Sequence, residues 1–204
     1  MARLSIGVRS LHDDLQPLPP MEPARRVVCH LRGTDRAQRR VGIGGNRLHQ
    51  HQGPPLGRRR KRGAFVQAIG TSRGGRTTKI HGLTDQHGRP RVLLLSPGNI
   101  NDMTMARAVI EAAGPFTRLI ADKGYDTNAI RDLVAARGAK AVIPPTAQRR
   151  TPIAYDRDAY RARNLVERLW CRLKDWRRVA TRYDKLADNY LSSALIAAIM
   201  TYWC

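Results

Sequence analysis

From residue 63 to the end of the chain, hydrophobic residues recur with the periods of regular secondary structure. Runs rich in β-branched and apolar residues predict strands, and apolar residues at steps of three and four predict amphipathic helices. The elements follow in the order strand, strand, helix, strand, helix, strand, helix, with a last apolar helix. The predicted strands are 77–84, 91–95, 118–121 and 141–143, and the predicted helices are 103–113, 128–137, 157–178 and 187–203.

Residues 1–62 show no sustained helical or alternating pattern. They carry 14 Lys and Arg against 4 Asp and Glu, and they hold 6 of the 12 prolines. Such a composition cannot bury enough apolar surface to fold, so it predicts a basic, disordered tail. The chain is therefore expected to consist of this tail, residues 1–62, and a folded domain, residues 63–204.

The formal net charge of +21 is extreme for a chain of 204 residues. A chain with this charge is expected to bind polyanions by releasing counterions, with an affinity that depends steeply on salt. The sequence has no run of about 18 apolar residues, which predicts no membrane span, and its start predicts no signal peptide. Three scattered cysteines argue against a disulfide framework or a zinc site and indicate a reducing cytoplasm.

One side of the helix predicted at 157–178 carries Tyr160, Arg163, Glu167 and Lys174. Their spacing places them in a single row along the helix. One carboxylate therefore lies among two cations and a phenol, beside an apolar seam. Rows of this kind also occur on ordinary solvated helix faces with weak ion pairs, so the pattern alone leaves both interpretations open.

The spacing within this row resembles the signature around the third acidic residue of the DDE-type insertion-sequence transposases. Asp122, in the stretch Leu-Ile-Ala-Asp-Lys-Gly-Tyr-Asp at 119–126, resembles the second acidic residue of that family. The resemblance covers about two thirds of the chain. Further stretches that resemble the family lie at 72–81, 143–145 and 180–185.

The resemblance implies a ribonuclease-H-like α/β fold, in which helices flank a mixed sheet. It also implies DNA cleavage and strand transfer at insertion-sequence ends. In that chemistry, two Mg²⁺ or Mn²⁺ ions are held by three acidic residues. Asp122 and Glu167 are accordingly the candidate catalytic residues and metal ligands.

The same resemblance suggests how DNA is bound. Arg163, Lys174 and Lys123 are the candidates for contacting DNA phosphates, and Tyr160 is expected to pack or hydrogen-bond beside the site. The implied partners are the insertion-sequence ends and the target DNA. Active members of the family are expected to be homo-oligomers in the bacterial cytoplasm, associated with the nucleoid.

The first acidic residue of the family is not where the resemblance places it. There the family has a strand ending in roughly Ile-Asp-Ser-Thr, whereas this chain continues from Asn46 with Arg-Leu-His-Gln. A frame shifted by one base allows Ile-Asp-Ser-Thr at this place, and it turns Met21 with Glu22 into a tryptophan that also resembles the family. We therefore expect residues from about 11 to 60 to be translated out of frame.

This hypothesis has consequences for both fold and activity. The first, central strand is expected to be missing, which would leave two sheet edges exposed and the chain poorly stable and prone to aggregate. Without the first acidic residue, the chain is expected to be inert in cleavage. The side chains expected to be structural are Asp85 in a turn, Asp102 and Asp126 as helix caps, and Trp170 and Trp176 in the core.

Two alternatives stay open beside this interpretation. The first 62 residues could be a true basic arm for nucleic acid. His49 and His51 are not counted among these alternatives, because no further metal ligands lie nearby in the sequence and the pair is expected to be an accident of frame. The second alternative concerns function. In place of a transposase enzyme, the chain could be a non-catalytic basic protein that binds DNA or transposase subunits and inhibits transposition.

Overall fold

The computed structural model describes residues 40–50, 67–72 and 75–204, with the backbone alone for residues 46–50. These residues form strands, helices and two 3₁₀ turns, at 123–125 and 161–163. The strands are β1 (Arg40–Gln50), β2 (Gly70–Ser72), β3 (Gly75–Thr84), β4 (Pro90–Pro97), β5 (Arg118–Ile120), β6 (Lys140–Val142) and β7 (Thr181–Arg182). The helices are α1 (Asp102–Glu111), α2 (Asn128–Ala136), α3 (Arg157–Tyr160), α4 (Asn164–Lys174), α5 (Arg177–Ala180) and α6 (Ala187–Tyr202).

The strands form one mixed sheet in which β1 is central. β1 pairs antiparallel with β3, from Gly42 opposite Thr84 to His49 opposite Thr77. On its other side β1 pairs parallel with β5, which in turn pairs parallel with β6. β4 lies antiparallel beside β3, and β7 pairs with the end of β1. The predicted mixed sheet flanked by helices is thus confirmed.

The prediction that the first, central strand is missing is wrong, because Arg40–Gln50 occupies that place. Backbone N–H and C=O groups pair whatever the side chains are, so β3 and β5 obtain a neighbour although β1 has no alternating pattern of apolar and polar residues. The edges that were expected to be exposed are therefore covered, which removes the reason for expecting poor stability. Residues 1–39 and 51–62 of the predicted tail lie outside the described residues.

Glycines in β1 and β3 allow α4 to lie directly on the sheet. A Cβ added at Gly44 would come within 2.7 Å of Val166, and one added at Gly82 would come within 2.7 Å of Trp170. Such approaches are too close for real Cβ atoms, so a larger residue at either position would push α4 away from the sheet. The small residues of β1 therefore suit its place beneath α4.

Two apolar layers cover the two faces of the sheet. α1 and α2 pack on one face around a cluster that includes Val109, Ile110 and Val134. α4, α5 and α6 pack on the other face around a cluster that includes Leu169 and Tyr190. Among the described helices, none combines the length and the hydropathy needed to cross a membrane.

The helix predicted at 157–178 is divided into three helices and a 3₁₀ turn. Asp156 begins α3, where its side chain accepts a hydrogen bond from the N–H of Ala159 at 2.8 Å. The backbone tightens at 161–163 before α4 begins. At Trp176 the backbone becomes extended, with φ −81° and ψ 101°, and α5 starts anew. The other predicted elements begin and end within two residues of their expected bounds.

Candidate functional site

Asp122 stands at the carboxyl end of β5, where the strand leads into the 3₁₀ turn 123–125. Its Oδ1 atom accepts a hydrogen bond from the N–H of Gly124 at 2.8 Å, so the carboxylate caps this turn. The side chain is nevertheless 43% exposed. One oxygen atom of Asp122 is thus used by the backbone, and the group as a whole remains accessible.

Glu167 lies in the first turn of α4, and its side chain is 56% exposed. The orientation of α4 is set by its apolar residues, which are buried against the sheet. Because these residues recur at steps of three and four, they leave Glu167 on the exposed flank of the helix. The buried residues of α4 are Val166, Leu169, Trp170 and Leu173.

Arg163 connects the two carboxylates. Its Nη1 atom donates a hydrogen bond to Oε1 of Glu167 at 2.8 Å. Its Nη2 atom lies 4.0 Å from Oδ2 of Asp122. One guanidinium is therefore within ion-pair distance of both acidic side chains, so the end of β5 and the start of α4 converge on the same region of the surface.

Tyr160 lies close to this group of charges. Its burial raises the pKa of the phenol, the Arg163 cation opposes that rise, and the carboxylates of Asp122 and Glu167 add to it. The ring packs edge-to-face on Tyr155, with ring centroids 5.6 Å apart and an interplanar angle of 81°. Tyr160 is therefore a half-buried neighbour of all three charged side chains.

The two lysines predicted to bind DNA are both exposed. Lys123 directly follows Asp122 in the 3₁₀ turn, and Lys174 is the last residue of α4. Neither makes an ion pair within the described part of the chain. The structure thus brings Asp122, Arg163 and Glu167 together, with Tyr160 beside them, and leaves the two lysines as separate exposed cations.

Asp126 has a role that the sequence did not reveal. Its side chain is fully buried and receives Nε of Arg131 at 2.8 Å and Nε of Arg149 at 2.9 Å. The N–H of Thr146 donates to it at 2.8 Å. Burial alone would raise the pKa of Asp126, but the hydrogen bonds from Arg149, Thr146 and Arg131 outweigh it and hold the pKa well below its usual range.

The expectation that Asp126 caps a helix is therefore replaced by a different structural role, since Thr127 caps α2. Asp126 ties the turn after Asp122 to α2 and to the segment after β6. The three donors come from positions 5, 20 and 23 residues further along the chain. No local sequence pattern identifies partners at such separations.

A second polar cluster lies under the amino end of α1. Nζ of Lys79 is 2.9 Å from Oδ1 of Asp102, and Asn101, next to Asp102, is the residue whose side chain caps the helix. Burial lowers the pKa of His81 to about 4, while Asp102 raises it and Lys79 lowers it. Nε2 of His81 lies 2.7 Å from Oγ of Ser96. His81 is therefore neutral at pH 7 and part of the structure.

The comparison with known sequences defines the class of this protein. The sequence model of the family described as the transposase DDE domain matches residues 49–203. The chain therefore belongs to the DDE transposase family, which confirms the resemblance seen in the sequence. The match begins at His49, inside β1, and so leaves out most of that strand.

Two relatives are named as transposases of particular insertion sequences. The chain is 28% identical over 127 residues to a transposase named for insertion sequence element IS6501 from Brucella ovis, covering 62% of this chain and 98% of the relative. It is 30% identical over 144 residues to a transposase named for insertion sequence element IS402 from Burkholderia cepacia, covering 65% of this chain and 66% of the relative.

Transposases with a DDE domain generally use divalent metal ions. Asp122 and Glu167 offer the carboxylate oxygens that such ions prefer. However, the described residues contain no group of three or more His, Cys, Asp or Glu side chains that could hold an ion. The eleven residues of β1 include neither Asp nor Glu. The described residues therefore do not fit a complete two-ion site, and we assign no step of the reaction to a metal.

Proposed function

We propose that this chain is the catalytic domain of an insertion-sequence transposase that retains two of the three acidic residues of its site. The observation that carries this proposal is the convergence of Asp122 and Glu167 on the single guanidinium of Arg163. The two acids come from separate elements, a strand end and a helix, as the family resemblance implies. Mg²⁺ or Mn²⁺ as the cofactor of the complete site belongs to the same proposal.

In this proposal the cations around the site hold DNA. Arg163, Lys123 and Lys174 contact phosphates of the insertion-sequence ends and of the target, which positions the DNA without reading its sequence. Tyr160 packs beside the bound backbone. The net charge of +21 supports a polyanionic partner. Assembly into a homo-oligomer on bacterial DNA in the cytoplasm completes the proposal.

We further propose that the chain as it stands does not cleave DNA. The absence of Asp and Glu from β1 supports an out-of-frame segment from about residue 11 to about residue 60. The family match begins at residue 49 and leaves the first 48 residues of the chain outside it. Residues 1–62 would then be foreign to the domain in sequence, although Arg40–Gln50 contributes a strand. Translating the coding DNA in the other frame tests this hypothesis. At the codons that encode the end of β1, that frame should encode Asp-Ser-Thr. Stop codons there would contradict it.

A nicking assay tests the enzymatic part of the proposal. The full chain is incubated with supercoiled plasmid carrying the ends of its own element, in the presence of Mg²⁺ or Mn²⁺. We expect retarded mobility of the DNA and no nicking. Nicking that disappears in Asp122→Ala and Glu167→Ala would show that two acidic residues suffice, and it would overturn the proposed inactivity.

A second candidate function is inhibition of active transposase. It is favoured by one observation, the exposed cations around a site that lacks an acidic residue in β1. Such a chain would occupy DNA ends without cutting them. Mixing it with a transposase in which the frame is restored should lower excision in proportion to its share. Unchanged excision at a large molar excess of the chain would exclude this function.

A further inference from the structure

Trp176 is exposed, contrary to the prediction that it lies in the core. Trp176 is 40% exposed, whereas Trp170 in α4 is 9% exposed. Trp176 lies in the junction between α4 and α5, where the backbone leaves the helical conformation. The exposed part of the indole ring gives the surface of this junction an accessible aromatic group.

The exposed ring is held in a fixed orientation. The indole Nε1 atom donates to Oγ1 of Thr201 in α6 at 3.1 Å, and that hydroxyl donates to the carbonyl of Ala197 at 2.7 Å. The carbonyl of Trp176 accepts hydrogen bonds from the N–H groups of Val179 and Ala180 at 2.8 and 2.9 Å. Both the backbone and the edge of the ring are thus fixed before any partner arrives, which lowers the entropy lost on binding.

Cations flank the ring on both sides along the chain. Lys174 and Arg177 are exposed and make no ion pair within the described part of the chain, and Arg178 is paired with Asp184 at 3.0 Å. Asp175 is the one acidic residue between them. The surface around Trp176 therefore combines an aromatic platform with two available positive charges, which is the combination used to bind single-stranded nucleic acid.

We propose that Trp176 stacks on an unpaired base of the DNA substrate, while Lys174 and Arg177 neutralise the neighbouring phosphates. The proposal rests on the proposed DNA-binding function and adds a contact that the signature residues do not provide. An intact duplex hides the faces of its bases, so the platform selects single-stranded or unstacked DNA. Stacking is tolerant of sequence because each base presents an aromatic face.

A second copy of this chain is the competing occupant. Ile196 and Met200 on α6 are 58% and 51% exposed, so the helix that anchors Trp176 also offers apolar surface. Two identical faces would bring Lys174 and Arg177 of both copies together, in a protein whose net charge is +21. Like charges placed together oppose such pairing, whereas a phosphate backbone is attracted. The charges therefore favour nucleic acid.

Indole fluorescence tests the proposal directly. The full chain is titrated with an oligothymidylate of about 20 nucleotides and with a duplex, and both the affinity and the quenching are measured. We expect wild-type fluorescence to be quenched by the single strand, and most of the quenching to be lost in Trp176→Phe but kept in Trp203→Phe. Trp176→Leu should lower the affinity for the single strand about tenfold, because one base loses its stacking partner.

The Phe variant also separates stacking from packing. Phe keeps an aromatic face, so Trp176→Phe should retain most of the affinity that Trp176→Leu loses. The charge-neutral change Trp176→Leu should leave the salt dependence unaltered. Arg177→Gln should reduce the slope of log affinity against log salt by about 0.7 for a single strand.

Several outcomes would overturn the proposal. Unchanged single-strand affinity in Trp176→Leu would do so while leaving the proposed function intact, provided that duplex binding persists. Equal losses in the Leu and Phe variants would assign the effect to packing. A fall in the sedimentation-average mass of Trp176→Leu, without a change in DNA affinity, would assign the surface to a second copy. Failure of the wild-type chain to bind any DNA would remove both the proposal and the function on which it rests.

Discussion

Asp122 and Asp126 lie within the same short segment after β5, yet their environments are opposite. Asp122 is 43% exposed, accepts one backbone hydrogen bond and has the Arg163 guanidinium at 4.0 Å. Asp126 has no exposed side-chain surface and is held by two arginines and a backbone N–H at 2.8–2.9 Å. A buried carboxylate with all its acceptor positions filled cannot take part in chemistry, whereas an exposed one can.

The difference indicates that the two aspartates have separate roles, one structural and one at the surface. Asp126 ties the turn after β5 to α2 and to the segment after β6, and Asp122 stands at the start of that same turn. Asp122 contributes one capping hydrogen bond to the fold, and the rest of its carboxylate is left accessible. Changing one residue should therefore affect stability, and changing the other should affect the surface chemistry. The predictions below test this division and compare it with other charged groups of the fold, beginning with the largest expected effect.

Replacing Asp126 should have the largest effect on stability. Asp126→Asn keeps the shape of the side chain but leaves Arg131 and Arg149, which are 13% and 17% exposed, without a buried counter-charge. Breaking a buried pair in this way costs about 3–5 kcal/mol. Urea denaturation followed by circular dichroism measures the loss. If the Asp126→Asn variant proved as stable as the wild type, the buried network would be dispensable.

Acid should destabilise the protein in two separate pH ranges. His81 has its pKa lowered from 6.5 to about 4, so the unfolded state binds a proton between these values that the folded state does not. Stability should therefore fall by roughly 3 kcal/mol as the pH drops from 6.5 to 4. Asp126 acts later: its pKa is depressed below 3.8, and its contribution is present above pH 3.8 and lost as the pH falls through the folded-state pKa.

Two variants distinguish these ranges. His81→Gln should flatten the fall in stability between pH 6.5 and 4, while Asp126→Asn should flatten it only below pH 3.8. Denaturation midpoints measured from about pH 7 to about pH 3 report both. A fall between pH 6.5 and 4 that persists in His81→Gln would assign the proton uptake to another group and not to His81.

Replacing Arg163 should change DNA binding more than stability. The pairs it forms with Glu167 and Asp122 are partly exposed, so Arg163→Gln should cost less than about 1 kcal/mol of folding free energy. If Arg163 contacts a phosphate, the slope of log affinity against log salt for duplex DNA should fall by about 0.9. Arg107→Gln is a matched control, because Arg107 forms a similar exposed pair with Glu111 at 2.7 Å. If Arg163→Gln and Arg107→Gln showed the same salt dependence of DNA affinity, Arg163 would not contact a DNA phosphate.

Replacing Asp122 should have the smallest effect on stability. Asn is as good a capping residue as Asp, so Asp122→Asn should keep the hydrogen bond to the N–H of Gly124 and change stability by less than about 0.5 kcal/mol. Thermal and urea denaturation measure this change beside Asp126→Asn. A loss comparable with that of Asp126→Asn would contradict the division between the two residues.

Much of the fold was predictable because its signals are local. The β-branched run in β3, the turn at 85–88 and the amphipathic period of α4 each lie within one stretch of sequence. β1 was not predictable, because Gly42, Gly44 and Gly45 provide no alternating pattern. Its position is set by the unpaired edges of β3 and β5. The break at Trp176 also escaped prediction, since its hydrogen-bond partner Thr201 is 25 residues away.

The candidate site was predictable to the extent that it follows from the family's spacing. Asp122, Arg163 and Glu167 were proposed from the sequence, and the structure brings their side chains together. That convergence depends on how α4 crosses the sheet, which periodicity alone does not give. The supporting role of Asp126 could not be predicted, because its partners are distant in sequence. The exposure of Trp176 could not be predicted either, because a large aromatic residue is usually buried.

Because β1 lies directly beneath α4, its sequence needs small residues where the two elements approach most closely. Gly44 meets that demand by having no side chain, since even one extra carbon atom there would strike Val166. Unrelated codons can supply such a strand, provided that they encode small residues at the points of closest approach. Under the proposed out-of-frame origin of this segment, the chain would therefore lack the first acidic residue and still keep the architecture of the sheet.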